Sequence, residues 1–190
     1  MHEHTRLCSY EVDAALRLVR VDDAWADFAV ANAAPELAQP VGAPDRTLLS
    51  YIADSTTRQV YQAMFDRARA EGRPLTVPLR CDAPDLRRFL ELTIAPREGG
   101  GFRLDSTLVR SEPRPYVALL DTSLPRTDDV LRMCGWCKAV EANGSWVTTE
   151  RGVELLGLFE RDALPMVTHG VCEECSERLA EEIDRDVANG

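Results

Sequence analysis

Residues 89–109, FLELTIAPREGGGFRLDSTLV, contain two alternating apolar runs with three consecutive glycines between them. Successive residues of a strand point to opposite faces, so this alternation places every second side chain on one face. Glycine adopts the backbone angles of a tight turn at little steric cost. The face predicted to be buried consists of Leu90, Leu92, Ile94, Phe102, Leu104, Ser106 and Leu108. The stretch therefore predicts an antiparallel hairpin that covers a hydrophobic core.

The chain before this hairpin adds further strands to the prediction. The segment LTVPLRC, residues 75–81, alternates in the same way and predicts a third antiparallel strand. Residues 15–40 begin with an alternating apolar run and turn at Asp22 and Asp23. They continue through Trp25, Phe28 and Ala29. This pattern predicts a strand, a turn, and then a short second strand or helix.

Residues 56–72, TTRQVYQAMFDRARAEG, predict the one long helix of this region. Thr56 and Gln59 have the spacing of a capping box, and Gly72 is placed to end the helix. The apolar stripe at helical spacing is Val60, Tyr61, Met64, Phe65 and Ala68. Strands and helices in this order predict an α+β fold, an N-terminal antiparallel sheet with helices on one face.

This order of elements resembles a PAS domain over residues 9–110. The resemblance depends on VDDAWADFA at 21–29, on SYIADSTTRQVYQAMF at 50–65 and on the three closing strands. The chain is also similar to a bacterial subgroup in which RCDAP, here residues 80–84, ends the first closing strand and a cysteine-pair module follows. The resemblance implies a sensory or dimerisation domain, a homodimer formed through it, and a regulatory rather than a catalytic role.

The residues do not name a ligand for such a domain. The histidines before residue 169 are His2 and His4, close to the end of the chain, which disfavours a histidine-ligated haem. The cysteine context of flavin photosensors, Asn-Cys-Arg-Phe-Leu, does not occur. A core filled by Leu, Val and Phe side chains is the favoured expectation, and a cavity for a small molecule is the alternative.

Two cysteine pairs, in MCGWCKAV at 133–140 and in THGVCEECSERL at 168–179, give the strongest chemical signal. Two-residue spacing turns both sulfurs of a pair towards one ion, and two pairs complete a tetrahedral shell. The predicted ligands are Cys134, Cys137, Cys172 and Cys175. Zn²⁺ is the favoured ion and an iron-sulfur cluster is the alternative. A structural metal of this kind would stabilise a module too small to fold alone.

The residues around these pairs predict how they come together. The segment NGSWVTTE at 143–150 indicates a turn into a short strand. A modest helix with Val153, Leu155, Leu156 and Phe159 follows, and its two glycines weaken it. The second pair lies in the first turn of an amphipathic helix with Cys175, Leu179 and Ile183 on one face. This arrangement resembles a treble-clef zinc finger, and over about residues 130–180 the chain resembles the CxWCK…HGxCxxC module of bacterial signalling proteins.

Three other side chains are candidates for chemistry. His169 lies three residues before Cys172, as an alternative ligand, as a hydrogen-bond partner of a thiolate, or as an ordinary turn residue. Cys81 shares the phase of a core strand, which favours a packing role, but Arg80 and Asp82 beside it leave a redox-sensing thiol as the alternative. No role is predicted for Cys8.

Charge and composition limit the classes of function. The net charge is −10, and residues 111–190 hold 7 Arg and 1 Lys against 16 Asp and Glu, a net charge of −8. Such a surface repels phosphate backbones, so a DNA-binding transcriptional regulator is a weak alternative. A redox sensor or thiol oxidoreductase that uses the CxxC pairs is another. Four thiolates close the metal shell, and no catalytic motif is visible, which predicts a protein that is not an enzyme.

The organisation predicted is a PAS-like domain at 9–110, a linker at 111–129 and a cysteine-pair zinc module at 130–185. Three prolines and a change in charge mark the linker, whose apolar centre YVALL is suited to packing on one of the domains. Without a signal peptide or a long apolar run, the expected location is the cytoplasm, where thiols stay reduced and a metal is favoured over disulfides. The expected partner is a protein rather than nucleic acid or membrane.

Overall fold

A five-stranded antiparallel sheet forms the first half of the protein. The computed structural model describes residues 5–31, 38, 47–52 and 54–185, so His2 and His4 lie outside the described residues. The strands are β1 (Thr5–Val12), β2 (Leu18–Val21), β3 (Leu75–Arg80), β4 (Leu86–Pro96) and β5 (Phe102–Pro113). They lie in the order β2-β1-β5-β4-β3. Because β1 pairs with both β2 and β5, the sheet joins the start of the chain to the hairpin at its centre.

The hairpin predicted at 89–109 is confirmed as β4 and β5. Leu92, Ile94, Phe102 and Leu104 are all buried on its inner face. Gly101 makes a close approach, because a Cβ atom there would lie 2.4 Å from the carbonyl oxygen of Val12 in β1. Strand β1 was missed by the sequence analysis, since the run TRLCSYEV shows only a weak apolar alternation.

Two helices lie between β2 and β3 and cover the inner face of the sheet. They are α1 (Asp23–Ala31) and α2 (Ser55–Glu71), and a 3-10 turn (Leu48–Tyr51) precedes α2. Met64, Phe65 and Ala68 are fully buried, which confirms the predicted stripe. Gly72 ends α2 in the left-handed conformation, as predicted.

The predicted capping box of α2 is wrong. The cap is Asp54, whose carboxylate accepts a hydrogen bond from the backbone N–H of Thr57 at 2.7 Å. It also accepts one from the Thr57 hydroxyl. The helix therefore begins one residue before Thr56, because an aspartate satisfies the free N–H groups of the first turn better than the threonine inside it.

The second half of the protein forms a mixed four-stranded sheet. Its strands are β6 (Arg126–Cys134), β7 (Val140–Ala142), β8 (Ser145–Val147) and β9 (Leu164–Gly170), in the order β8-β7-β6-β9. Strand β9 is parallel to β6, and the other pairs are antiparallel. Two helices complete this half of the chain: α3 (Thr149–Leu155) packs against β7, whereas α4 (Glu173–Arg185) packs against α2 and β3 of the first half. The turn and the strand around Trp146 were predicted from the sequence, whereas β6, β7 and β9 were not.

The segment predicted as a linker is largely ordered against the two sheets. Strand β5 continues to Pro113 and β6 begins at Arg126, so regular structure occupies both ends of 111–129. Between them Val117 and Leu119 are buried in the core of the second sheet. The apolar segment YVALL, which was predicted to pack on one of the domains, therefore packs on the second sheet.

The helix predicted after the strand around Trp146 corresponds only in part to α3. Val153 is buried, but Leu155 is 40% exposed and Phe159 is 74% exposed, because α3 ends at Leu155 and a 3-10 turn (Leu158–Glu160) follows. Gly152 has a packing role rather than a weakening one. A Cβ atom at this position would lie 1.9 Å from Cγ2 of Val140, so only glycine lets α3 approach β7.

No described helix is long and apolar enough to cross a membrane.

Candidate metal centre

The first cysteine pair lies in a tight turn that follows β6. The backbone N–H of Cys134 donates to the carbonyl of Ala139 at 2.7 Å, and that of Lys138 donates to the carbonyl of Cys134 at 3.1 Å. Lys138 has a φ of 63°, in the left-handed region. We call residues 134–138 the knuckle. The chain reverses within it, which turns the sulfurs of Cys134 and Cys137 to the same side.

The second pair reaches the knuckle through the parallel pairing of β9 with β6. Cys134 is in register with Gly170, and the N–H of Gly135 donates to the carbonyl of Gly170 at 2.8 Å. Cys172 lies two residues after the end of β9, and its carbonyl accepts a hydrogen bond from the N–H of Ser176 at 2.9 Å in the first turn of α4. The long gap between the pairs is thus spanned by one hairpin, one helix and one returning strand.

The four sulfur atoms of Cys134, Cys137, Cys172 and Cys175 all lie within 4.8 Å of one another. The sulfurs of Cys137 and Cys172 are 3.7 Å apart. A tetrahedral ion with metal–sulfur bonds of about 2.3 Å requires sulfur–sulfur edges of about 3.8 Å, whereas a disulfide requires about 2.05 Å. All the cysteines are free thiols. The cluster therefore has the dimensions of a site for a single metal ion.

Burial and charge suit a metal at this position. Cys134, Cys172 and Cys175 are buried, and Cys137 is partly buried. Hydrogen bonds from Cys137 and Cys175 lower the pKa of Cys134, whereas desolvation raises the pKa of Cys172 to about 12. Without a metal, the thiolate form is thus favoured for Cys134 and disfavoured for Cys172 beside it. A divalent cation removes this repulsion and allows all four groups to be thiolates.

Donors around the cluster offset the negative charge of four thiolates. The backbone N–H of Cys172 points at the sulfur of Cys134 at 3.5 Å, and Nη2 of Arg178 lies 3.4 Å from the sulfur of Cys175. Lys138 donates from Nζ to the carbonyl of Gly135 at 2.8 Å, and its ammonium lies near Cys134. Such donors tune and orient metal ligands in closed sites.

The other predicted candidates lie outside the cluster. His169 is in β9, in register with Met133. Among the described residues, the group that could hold a metal ion consists of the four cysteines and does not include His169. Desolvation and the Lys138 ammonium lower the pKa of His169 to about 4, which favours the neutral ring. Cys81 is partly buried, and Nη2 of Arg88 lies 3.7 Å from its sulfur. Burial raises the pKa of Cys8, as expected of a packed thiol.

A buried ion network that the sequence analysis missed fastens the knuckle to the first sheet. Arg80, at the end of β3, donates from its backbone N–H to the carbonyl of Trp136 and from Nη1 to the carbonyl of Cys137, both at 2.8 Å. Asp82 is fully buried and accepts hydrogen bonds from Arg80 and from the fully buried Arg114, the latter at 2.8 Å. The signal for it in the sequence was Arg80 and Asp82, on either side of Cys81 in RCD.

The same connection appears in the hydrophobic core. One cluster of buried side chains joins Tyr10, Phe65 and Phe102 of the first half to Trp136 and Leu179 beside the cysteines. The rings of Tyr61 and Trp136 are 5.7 Å apart. The cysteine region therefore shares part of its core with the first sheet.

No family model matches the chain, and no curated protein or solved structure is significantly similar to it. The site's geometry is therefore the evidence on function.

Proposed function

We propose that the protein is a non-catalytic regulatory protein in which one structural Zn²⁺, held by Cys134, Cys137, Cys172 and Cys175, fixes the second sheet against a PAS-like sensory or dimerisation domain. The observation that carries the proposal is the set of four mutually close sulfur atoms. Four thiolates in a compact tetrahedron are the ligand set that zinc prefers in structural sites, and they leave no position open for catalysis.

The size of the cluster favours a single ion over an iron-sulfur cluster. Every sulfur lies within 4.8 Å of every other, so the four thiolates surround a space of atomic size. A cluster with several irons places its cysteines around a larger, many-atom core. The donor set agrees with zinc, because tetrahedral sulfur sites select zinc or iron in proteins.

The PAS-like assignment is supported by the order of elements in residues 9–110. Two strands are followed by a short helix, a longer helix and three antiparallel strands, with both helices on one face of the sheet. The treble-clef assignment is supported in the same way, since a knuckle, a hairpin and a helix that begins at the second pair occur in this order. Both assignments remain proposals.

The alternatives have weaker support. A thiol oxidoreductase needs an accessible nucleophilic cysteine, but Cys134 is fully buried and Cys172 is 4% exposed. A DNA reader needs a basic surface, but the second half carries a net charge of −8 from 7 Arg, 1 Lys and 16 acidic residues. Among redox functions, the geometry best supports a sensor in which oxidation of the partly exposed Cys137 releases the zinc ion.

We propose that the protein transmits its signal by binding another protein. Around a groove of about 230 Å³, Phe159 is 74% exposed and Tyr116 is 55% exposed. Large aromatic side chains at such exposure are typical of sites for protein contact.

Replacement of zinc by cobalt tests the metal proposal directly. Co²⁺ added to the chelated, reduced protein is expected to bind one equivalent and to give the strong visible bands and sulfur charge-transfer bands of tetrahedral thiolate coordination. Cys172→Ser should weaken these bands and the affinity. Cys81→Ser, which removes a thiol outside the cluster, should leave both unchanged. Identical spectra in the two variants would exclude the proposed ligand set.

A further inference from the structure

A mostly apolar cleft lies between the knuckle, the helices and β9. Its volume is about 440 Å³, within the range of small-molecule sites. Its aromatic walls are Tyr10, Trp25, Tyr51, Tyr61 and Trp136. We call it the knuckle cleft. The favoured expectation from sequence, a core filled by Leu, Val and Phe side chains, does not describe this part of the molecule.

A second cleft of about 440 Å³ adjoins the first and runs under β3 and β4. The two clefts share Tyr10, Trp25, Tyr61, Leu79 and Lys138, so they meet along one common wall. This wall combines side chains of the first half with one residue of the knuckle. A ligand held there would contact both halves of the protein.

The charges of the two linings are unusual for so acidic a chain. Net charge is −10, yet the described lining of either cleft contains no Asp or Glu. The cationic residues in the linings are Lys138, Arg80 and Arg88. Lys138 is the sole lysine of the sequence. Its ammonium has three N–H donors, and the carbonyl of Gly135 uses one of them.

Two phenol groups in the common wall are further donors. Burial raises the pKa of Tyr10 and of Tyr61, so both hydroxyls stay protonated. The ring of Tyr10 packs on that of Trp25 and the ring of Tyr61 on that of Trp136, and both tyrosines line the two clefts. A protonated hydroxyl in a cleft wall can donate a hydrogen bond to an anionic ligand.

We propose that the knuckle cleft binds a planar aromatic carboxylate, with its ring between the aromatic side chains and its carboxylate on Lys138. The proposal goes beyond the proposed function, because the site is built from both halves and does not depend on which metal the cysteines hold. Lys138 and Trp136 lie between or beside the metal ligands. We therefore expect ligand affinity and metal affinity to be coupled, in which case each changes the other by the same factor.

Titration with naphthalene-2-carboxylate tests the proposal on the full chain, with its metal content measured beforehand. Calorimetry and amide chemical shifts should report one saturable site, with a dissociation constant of about 1 mM or below for an aromatic fragment of this size. Naphthalene-2-carboxamide, of the same shape without the charge, should bind at least about fivefold more weakly. Equal binding of the two would exclude Lys138 as an anion site.

Two variants locate the site. Ile52→Trp places a large ring at the rim of the knuckle cleft and should abolish binding of both probes while metal content stays unchanged. Lys138→Met should remove the preference for the carboxylate over the amide. Full binding in Ile52→Trp, shift changes confined to other surfaces, or no saturable binding to metal-loaded protein would each overturn the proposal. Equal affinity for the probe in the metal-loaded and the metal-free protein would overturn the proposed coupling to the metal.

Discussion

Single residues near the knuckle have effects that their sequence positions do not suggest. Asp82 follows a strand in the unremarkable run RCD, yet its carboxylate is fully buried between two guanidinium groups. Nη2 of Arg114 also lies 2.9 Å from Oε1 of Glu150 in α3, so this ion network joins the two halves. Buried charges are costly when one partner is removed, because the other is left without compensation.

Asp82→Asn is therefore expected to lower the free energy of unfolding by about 3–5 kcal/mol, since it leaves Arg114 buried beside a neutral amide. Denaturant unfolding of both proteins measures the change. Asp66→Asn is the matched control, because Asp66 pairs with Arg69 on the exposed face of α2 and should cost less than about 1 kcal/mol. Equal losses for the two variants would contradict the buried network.

Gly152 gives a second prediction at this scale. In Gly152→Ala the new methyl group collides with Val140, and we expect a loss of about 1–3 kcal/mol in unfolding free energy. Val140→Ala in the same chain makes room for the methyl group, so the double variant should be more stable than the sum of the two single losses predicts. Strict additivity in this cycle would show that the two side chains do not meet.

Among the secondary-structure elements, α2 begins at a different residue from the one predicted from the sequence. Thr56 and Gln59 match a capping box, but the backbone enters the helix earlier and Asp54 becomes the cap. A pattern of residue types does not say which of two neighbouring polar side chains has the extended backbone that a cap needs.

Asp54→Ala should accordingly lower the stability by about 1 kcal/mol, whereas Thr56→Ala should change it by less than about 0.5 kcal/mol. Thermal or urea unfolding of the two variants compares the positions directly. A larger loss at Thr56 would restore the capping box and refute the cap at Asp54.

Local pattern was enough for elements that depend on neighbouring residues. The hairpin of β4 and β5 follows from alternation and glycines, and the apolar face of α4 follows from Cys175, Leu179 and Ile183. The four clustered cysteines followed from their spacing in the sequence. Strands β6 and β9 were missed because they pair in parallel over a long separation, and RTDDVLRMC has no regular alternation. Pairing between distant segments leaves little trace in either sequence.

In the molecule as a whole, the four-cysteine cluster belongs to a hydrophobic core that the first half shares. Cys134, Trp136 and Leu179 are buried in the same cluster as Phe65 and Phe102. Structural zinc contributes on the order of 10 kcal/mol in small modules, comparable to the total stability of a domain. Loss of the ion should therefore affect both sheets, and not only residues 130–185.

Chelation measures this coupling. After metal removal in reductant, the midpoint of thermal unfolding should fall by more than about 10 °C, and amides of α2 should exchange faster as well as those of α4. Readdition of zinc should reverse both changes. If the amides of α2 stayed protected from exchange while those of α4 lost protection, the two halves would fold independently. The shared core would then not couple their stabilities.

Metal analysis of the protein purified in reductant, with an absorption spectrum and a native mass, tests the proposed zinc site most directly. We expect one zinc per chain, a colourless protein, and loss of that zinc in Cys172→Ser but not in Cys8→Ser. Iron with sulfide in a brown protein, or a metal-free chain that folds fully, would contradict the account.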